Sequence, residues 1–192
     1  AGLQNHLAYD SFDCGRAGTG YVNLYNGDVV IARPLTQCGG NRMPVSITAY
    51  YGAQLFGVTA RVGSHWRLSC DQCMTKSYIN DELYFIWSKG DGSQHYFRKP
   101  NSSAAYYEDL SGLSLKLTDN GTYTEIEDKG GTVMRFESPQ AALDDTGRLL
   151  SITDSCGNTN TFQYGDWRLE SITDGAGRVT QFTYSGNMLT GI

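Results

Sequence analysis

Cys70-Asp-Gln-Cys73 has the most explicit chemical spacing in this 192-residue chain. Two thiols at that interval suit a zinc knuckle or a redox pair, since both sulfurs can turn toward one centre. Cys70 and Cys73 make only half a zinc site, however, because structural zinc takes four ligands, usually from two such pairs. The other candidates, Cys14 and Cys38, stand 24 residues apart and form no second pair. A thioredoxin-like role would need the motif between a strand and a helix, an alternation missing here. The spacing therefore favours plain thiols or a local disulfide, with Cys14 and Cys38 as a further candidate pair and Cys156 exposed in a turn. His6, His65 and His95 fall in no nucleophile or metal pattern and read as surface or packed side chains. The doublets Asp81-Glu82, Glu108-Asp109 and Asp144-Asp145 could hydrolyse a glycoside only by facing each other across a cleft. Adjacent strand residues point to opposite faces, so these are poor dyads. The expectation is a non-catalytic chain that needs no cofactor and no metal.

The elements that must carry these residues are strands. The chain holds 23 Gly, 13 Tyr, 7 Phe and 3 Trp with 18% charged residues, a composition of many strands joined by tight turns. A net charge of -5 with 15 scattered Lys and Arg argues against a nucleic-acid partner, which needs clustered cations. No stretch approaches the roughly 20 apolar residues of a helical membrane span. Asn26-Gly27 between two β-rich runs, Gly20 to Ile31, signals a hairpin. Met43 to Tyr51 reads as another strand, and Ser103 to Leu110 as one short helix.

A repeat organises the rest. Leu149, Leu169 and Leu189 are spaced by 20 residues, as are Ile152, Ile172 and Ile192, and Asp154/Asp174, Gly157/Gly177, Phe162/Phe182 and Tyr164/Tyr184 keep the same interval. A fixed period of this size means a repeat architecture. Asp-x-x-Gly predicts a type I turn whose Gly takes positive φ as a bulge, the usual three-residue hairpin connection. Phe162, Tyr164, Phe182 and Tyr184 then alternate along the outgoing strands and predict one aromatic row on the buried side. Leu169 and Ile172, three apart, require either a bulge or a sheet covered on both faces, and the expectation favours a strongly twisted sheet in which each hairpin covers its neighbour, because one hairpin cannot bury its own aromatic row. Ile126, Asp128, Gly131 and Phe136 repeat the offsets upstream, and Gly92 with Phe97 repeats them more faintly. This divides the chain into a non-repeating β-rich region, 1–82, and hairpin repeats, 83–192, continuous with each other. The third copy reaches Ile192 before its aspartate, which reads as a fragment whose open strand edge could pair with another chain.

These motifs resemble the YD-repeat or Rhs family, whose unit runs Gly-Arg-Leu-x-x-Ile-x-Asp-x-x-Gly-Arg-x-x-x-Phe-x-Tyr, as residues 147–192 do. Upstream, Val22-Asn23 with Asn26-Gly27, Met43-Pro44-Val45 before Tyr50-Tyr51, Gly63 with Trp66-Arg-Leu68, and Asp91-Gly92 with Tyr96-Phe97 resemble the region preceding the repeats in bacterial members. His65 stands where the pattern has Gly, and Tyr51-Gly52 where it has Asn-Ser. The resemblance implies an all-β fold of successive antiparallel hairpins in a twisted, spiralling sheet. In full-length members that sheet winds into a hollow shell, which encloses a C-terminal toxin or, in the related teneurins, stands on the cell surface. The implied role is a bacterial extracellular or surface scaffold, partnered by downstream repeats and cargo. The alternative is a carbohydrate or cell-wall-binding module using exposed faces of Tyr21, Tyr25, Tyr50, Tyr51, Trp66 or Trp87.

Overall fold

The computed structural model describes residues 2–4, 7–53, 55, 58, 60, 62–139 and 146–192, and the architecture is antiparallel β throughout. Strands β1 (Tyr9–Asp13), β2 (Thr19–Asn23), β3 (Val29–Thr36), β4 (Ile47–Gly52) and β5 (Trp66–Leu68) pair in chain order as one five-stranded sheet. The Asn26-Gly27 signal is a hairpin loop, with Gly27 at φ 75° and its amide donating to the Asn23 carbonyl at 2.8 Å. The strand expected from Met43 starts at Ile47, because Arg42 and Met43 adopt left-handed backbone, φ 62° and 58°, and turn the chain first. His65 also sits at φ 66°, the left-handed conformation glycine favours.

Strand pairing breaks between Leu68 and Cys73, where the chain passes from the first sheet to the second. Strands β6 (Cys73–Ile79), β7 (Glu82–Ser88), β8 (Gln94–Arg98), β9 (Tyr107–Asp109), β10 (Lys116–Asp119), β11 (Tyr123–Glu127), β12 (Val133–Glu137) and β13 (Gly147–Thr153) then follow one another as neighbours. Because β13 pairs with both β12 and β6, these eight strands close into a barrel. Alternation along each strand sends Met74, Phe85, Phe97, Leu117, Ile126, Phe136 and Leu149 inward, all at 0% exposure. These side chains belong to one hydrophobic core cluster that fills the barrel.

Residues 103–110 are not helical: they form turns and β9, and the helical turn among the described residues is the short 3-10 segment Gly15–Ala17. The physical reason is tertiary. Tyr107 pairs with Leu117 and sets its ring edge-on to Phe85 at 4.7 Å, a contact a helix would withdraw.

Beyond the barrel the sheet continues through β14 (Thr159–Gly165), β15 (Arg168–Thr173) and β16 (Val179–Gln181), and β17 (Thr183–Ser185) with β18 (Met188–Gly191) forms a two-stranded ribbon. One hydrophobic core spans all parts, taking Ile47 and Leu68 from the first sheet, Val45 from the segment just before β4, and Phe162, Leu169, Ile172 and Phe182 from the last hairpins.

Candidate functional site

The repeated hairpins are built from the same local chemistry. At Asp154 the Gly157 amide donates to the Asp154 carbonyl at 3.0 Å, closing the turn, and Gly157 takes φ 84°. The Asp154 carboxylate accepts from the Cys156 and Asn158 amides, both at 2.9 Å. Asp174 accepts from Ala176 and Arg178 in the same way, and Asp128 accepts from Thr132, with Gly177 and Gly131 both at φ 82°. Bonding to Asn158 holds the Asp154 carboxyl below its usual range, and Thr132 does the same for Asp128. At Asp174 burial acts upward but is outweighed by the bonds from Arg178, so that group too is lowered. A carboxylate occupied by its own backbone amides has the role of a turn former.

The three-residue gap between Leu and Ile is a bulge. On β13 the register to β12 shifts so that Phe136 faces Leu149 while Arg135 faces Ser151, leaving Leu150 as the extra residue. On β15 the extra residue is Glu170, and on β18 it is Thr190, again at intervals of 20. An inserted residue lets two side chains three apart share one face. Leu169 and Ile172 accordingly lie 0% and 1% exposed on the same core.

The aromatic row is also copied. Phe162 and Phe182 are buried, the Tyr164 hydroxyl donates to the Leu149 carbonyl at 2.8 Å, and Tyr184 donates to Leu169 at 2.7 Å. Burial pushes the Tyr184 hydroxyl up to about 12, and Tyr164 is raised for the same reason. Sequence reasoning assigns no role to the arginines of Gly-Arg-Leu. Arg148 lies over the Tyr164 ring at 4.8 Å and donates to the Asp166 carbonyl, while Arg168 lies over Tyr184 at 5.2 Å and donates to the Gly186 carbonyl. Their 20-residue spacing is the signal that could have found them.

Cys70 and Cys73 are buried free thiols, and Cys14, Cys38 and Cys156 are free as well. Around the pair the chain builds an arginine knot. Arg67 Nε donates to the Asp71 carbonyl at 2.7 Å, lies 3.9 Å from the Asp71 carboxylate, and places Nη2 3.5 Å from Cys73 Sγ. Burial raises the Cys70 thiol strongly, and it raises Cys73 against the opposing pull of Arg67. Thiols held protonated are poor nucleophiles and poor metal ligands. Among the described residues no group of three or more His, Cys, Asp or Glu is arranged to hold a metal ion.

A cavity of about 720 Å³ opens beside β8, lined by Gln4, Lys89, His95, Leu110, Ser111 and Leu113 among others. His95 and Ser111 meet on its wall, and Asp109, two residues before Ser111, lies buried behind them. His95 Nδ1 lies 3.1 Å from Ser111 Oγ and 3.9 Å from Asp109 Oδ1. Both contacts fall on one ring nitrogen, whereas activation of a serine requires the base and its orienting carboxylate on opposite nitrogens. Asp109 is further committed to the Ser111 and Leu113 amides at 3.0 and 2.8 Å. The cluster is a turn packed under His95, which stacks on Trp87 at 5.1 Å.

The other singled-out residues are dispersed. Asp81 turns the β6–β7 hairpin at φ 64°, Glu82 pairs with Arg98 at 3.3 Å, and Glu108 accepts from Tyr106. His6, Asp144 and Asp145 lie outside the described residues. Of the candidate sugar-stacking aromatics only Tyr25 stands exposed; Trp87 is buried, and Tyr51 packs against Trp66 at 5.3 Å. No helix among the described residues is long and apolar enough to cross a membrane. No protein-family model matches the chain, and no curated protein matches it significantly.

Proposed function

We propose that the chain is a non-catalytic structural scaffold of the YD-repeat kind, acting outside the bacterial cell or at its surface. In this reading the first sheet and the packed barrel form a terminal foundation on which successive hairpins are laid, and the growing sheet would enclose or display the rest of the parent protein. Terminal units of repeat arrays differ from the repeats they seal, as the non-repeating region does here. The observation that carries the reading is the copied joint: bulge, tyrosine-to-leucine bond and arginine-over-tyrosine stack recur at 20-residue intervals. Within each copy the tyrosine bond and the arginine stack tie the strand after the turn to the strand before it, and the bulge lies where that first strand pairs with the preceding one, as β15 does with β14.

The test is extension. Residues 173–192 continue the repeat in register when appended after Ile192, once and then twice. Nearest-neighbour coupling predicts a rise in Tm with each added unit, measured by circular dichroism. A Tm that stays level on both additions would count against a scaffold that grows by repeats.

A further inference from the structure

Asn160 on β14 is 9% exposed, and among the described residues no donor reaches its Oδ1. Buried amides are ordinarily bonded, and an acceptor without a donor lowers stability, so this one calls for an explanation. Asn160 stands opposite Ile152 on β13, as Phe162 stands opposite Ile172 on β15. These four side chains line one wall of a cleft of about 240 Å³ between the repeat hairpins and the first sheet. Val45 and Ile47, around the start of β4, and Cys70, from the link to β6, stand on the other wall. Among the described residues that line it none is Asp, Glu, Lys, Arg or His, in a chain with 18% charged residues, and burial holds the Cys70 thiol protonated. Its other polar side chains are already engaged: Gln72 donates to the Ser69 carbonyl at 3.3 Å and accepts from Trp87 Nε1 at 3.0 Å, and Ser69 Oγ accepts from the Thr48 amide at 3.1 Å.

We propose that this cleft binds a small uncharged molecule with an apolar body and one hydroxyl, of the phenol or short-chain alcohol class. Its O–H donates to Asn160 Oδ1, and its body lies against Ile152, Phe162 and Ile172. The walls set that chemistry. A carboxylate or ammonium group would be desolvated there with no opposite charge to meet it. An apolar cavity of about 150 Å³ takes benzene, whereas drug-sized ligands need about 300 Å³ or more, so the volume suits a single ring or a short chain. Thr180 replaces Asn160 in the next copy, so the site belongs to one repeat and does not recur with the period. It depends on the walls of one cleft and not on growth by repeats, so the scaffold and the ligand site can fail separately.

The probe is 4-fluorophenol, titrated with the full chain and followed by fluorine NMR. Saturable binding is expected with a Kd on the order of 1 mM or tighter, in keeping with a ligand of about eight non-hydrogen atoms. Backbone amide shifts should move around residues 45–47 and 160–162 and stay fixed at Ser111 and Leu113, in the larger cavity. Asn160→Leu keeps the shape of the side chain and removes the buried acceptor, so its Tm should hold or rise. In that variant the preference for 4-fluorophenol over 4-fluorotoluene should fall about tenfold, the loss of one neutral hydrogen bond. Ser46→Trp, which crowds the cleft from an exposed position, should abolish binding of both probes. Absence of saturation, amide shifts confined to the larger cavity, or an unchanged preference in Asn160→Leu would each overturn the site. A lower Tm together with that unchanged preference would make Asn160 a packing residue.

Discussion

Residues 147 and 167 occupy the same place in consecutive repeats, yet one is glycine and the other tryptophan. Gly147 sits where β12, β13 and β6 meet, and a Cβ there would run into the Glu137 carbonyl oxygen. Trp167 begins the second copy, where among the described residues no strand pairs in the way β6 pairs with Gly147, and is 39% exposed. Their surroundings share the turn, the bulge and the tyrosine bond. The hairpin is therefore encoded locally, while closure into a barrel depends on whether a distant strand arrives at its edge. A local unit that does not specify its own neighbour can be used both to seal a foundation and to extend from it.

The largest expected effect tests whether the closed copy carries more stability than the open one. Phe136→Ala, inside the barrel at 0% exposure, is expected to cost about 3–5 kcal/mol in urea denaturation. Phe182→Ala, at a separate cleft beside β15 and 5% exposed, should cost less because the open side can collapse around the loss. Equal costs would dissolve the distinction. A smaller effect sharpens it: Gly147→Ala should lower Tm and strip exchange protection from β6 and β13, because backbone must move at the closure. Trp167→Ala at the matching position should leave that protection intact.

The smallest effect concerns what the copies share. The Asp128, Asp154 and Asp174 carboxyls are lowered in the folded chain by amide bonds that the unfolded chain lacks. Their contribution is fully present above the unfolded value, about 3.9, and is lost as pH falls through the lowered folded values. The double variant Asp154→Asn, Asp174→Asn should show a shallower fall of Tm between about pH 5 and 2 than the parent chain. An unchanged slope would mean that these turns contribute nothing through their charge.

Much of this architecture is legible in the amino-acid sequence. Asp-x-x-Gly predicts turns at Asp128, Asp154 and Asp174 because the side chain and the positive φ of Gly are properties of four adjacent residues. The Leu–Ile interval of three allows a bulge or a sheet covered on both faces; the sequence reading favours the second, whereas the register at Glu170 shows a bulge. Ser103 to Leu110 reads as helix but is not one, since its local pattern cannot show that Tyr107 meets Phe85. The arginine knot around Cys73 and the meeting of Ser111, His95 and Asp109 are illegible for a similar reason. They join residues through backbone placement, and their spacing in sequence carries no period.

By itself the sequence determined the hairpin: its turn, its bulge, its aromatic face and its 20-residue repetition all follow from interactions spanning a few residues. Only the tertiary structure decided that β6 lies against β13, that eight strands close around a filled core, and that among the described residues no strand takes the place of β6 beside β15. Pairing an edge is a long-range event, set by which strand reaches the exposed amides and carbonyls with an apolar face to bury. Two nearly identical edges can therefore meet different fates within one chain.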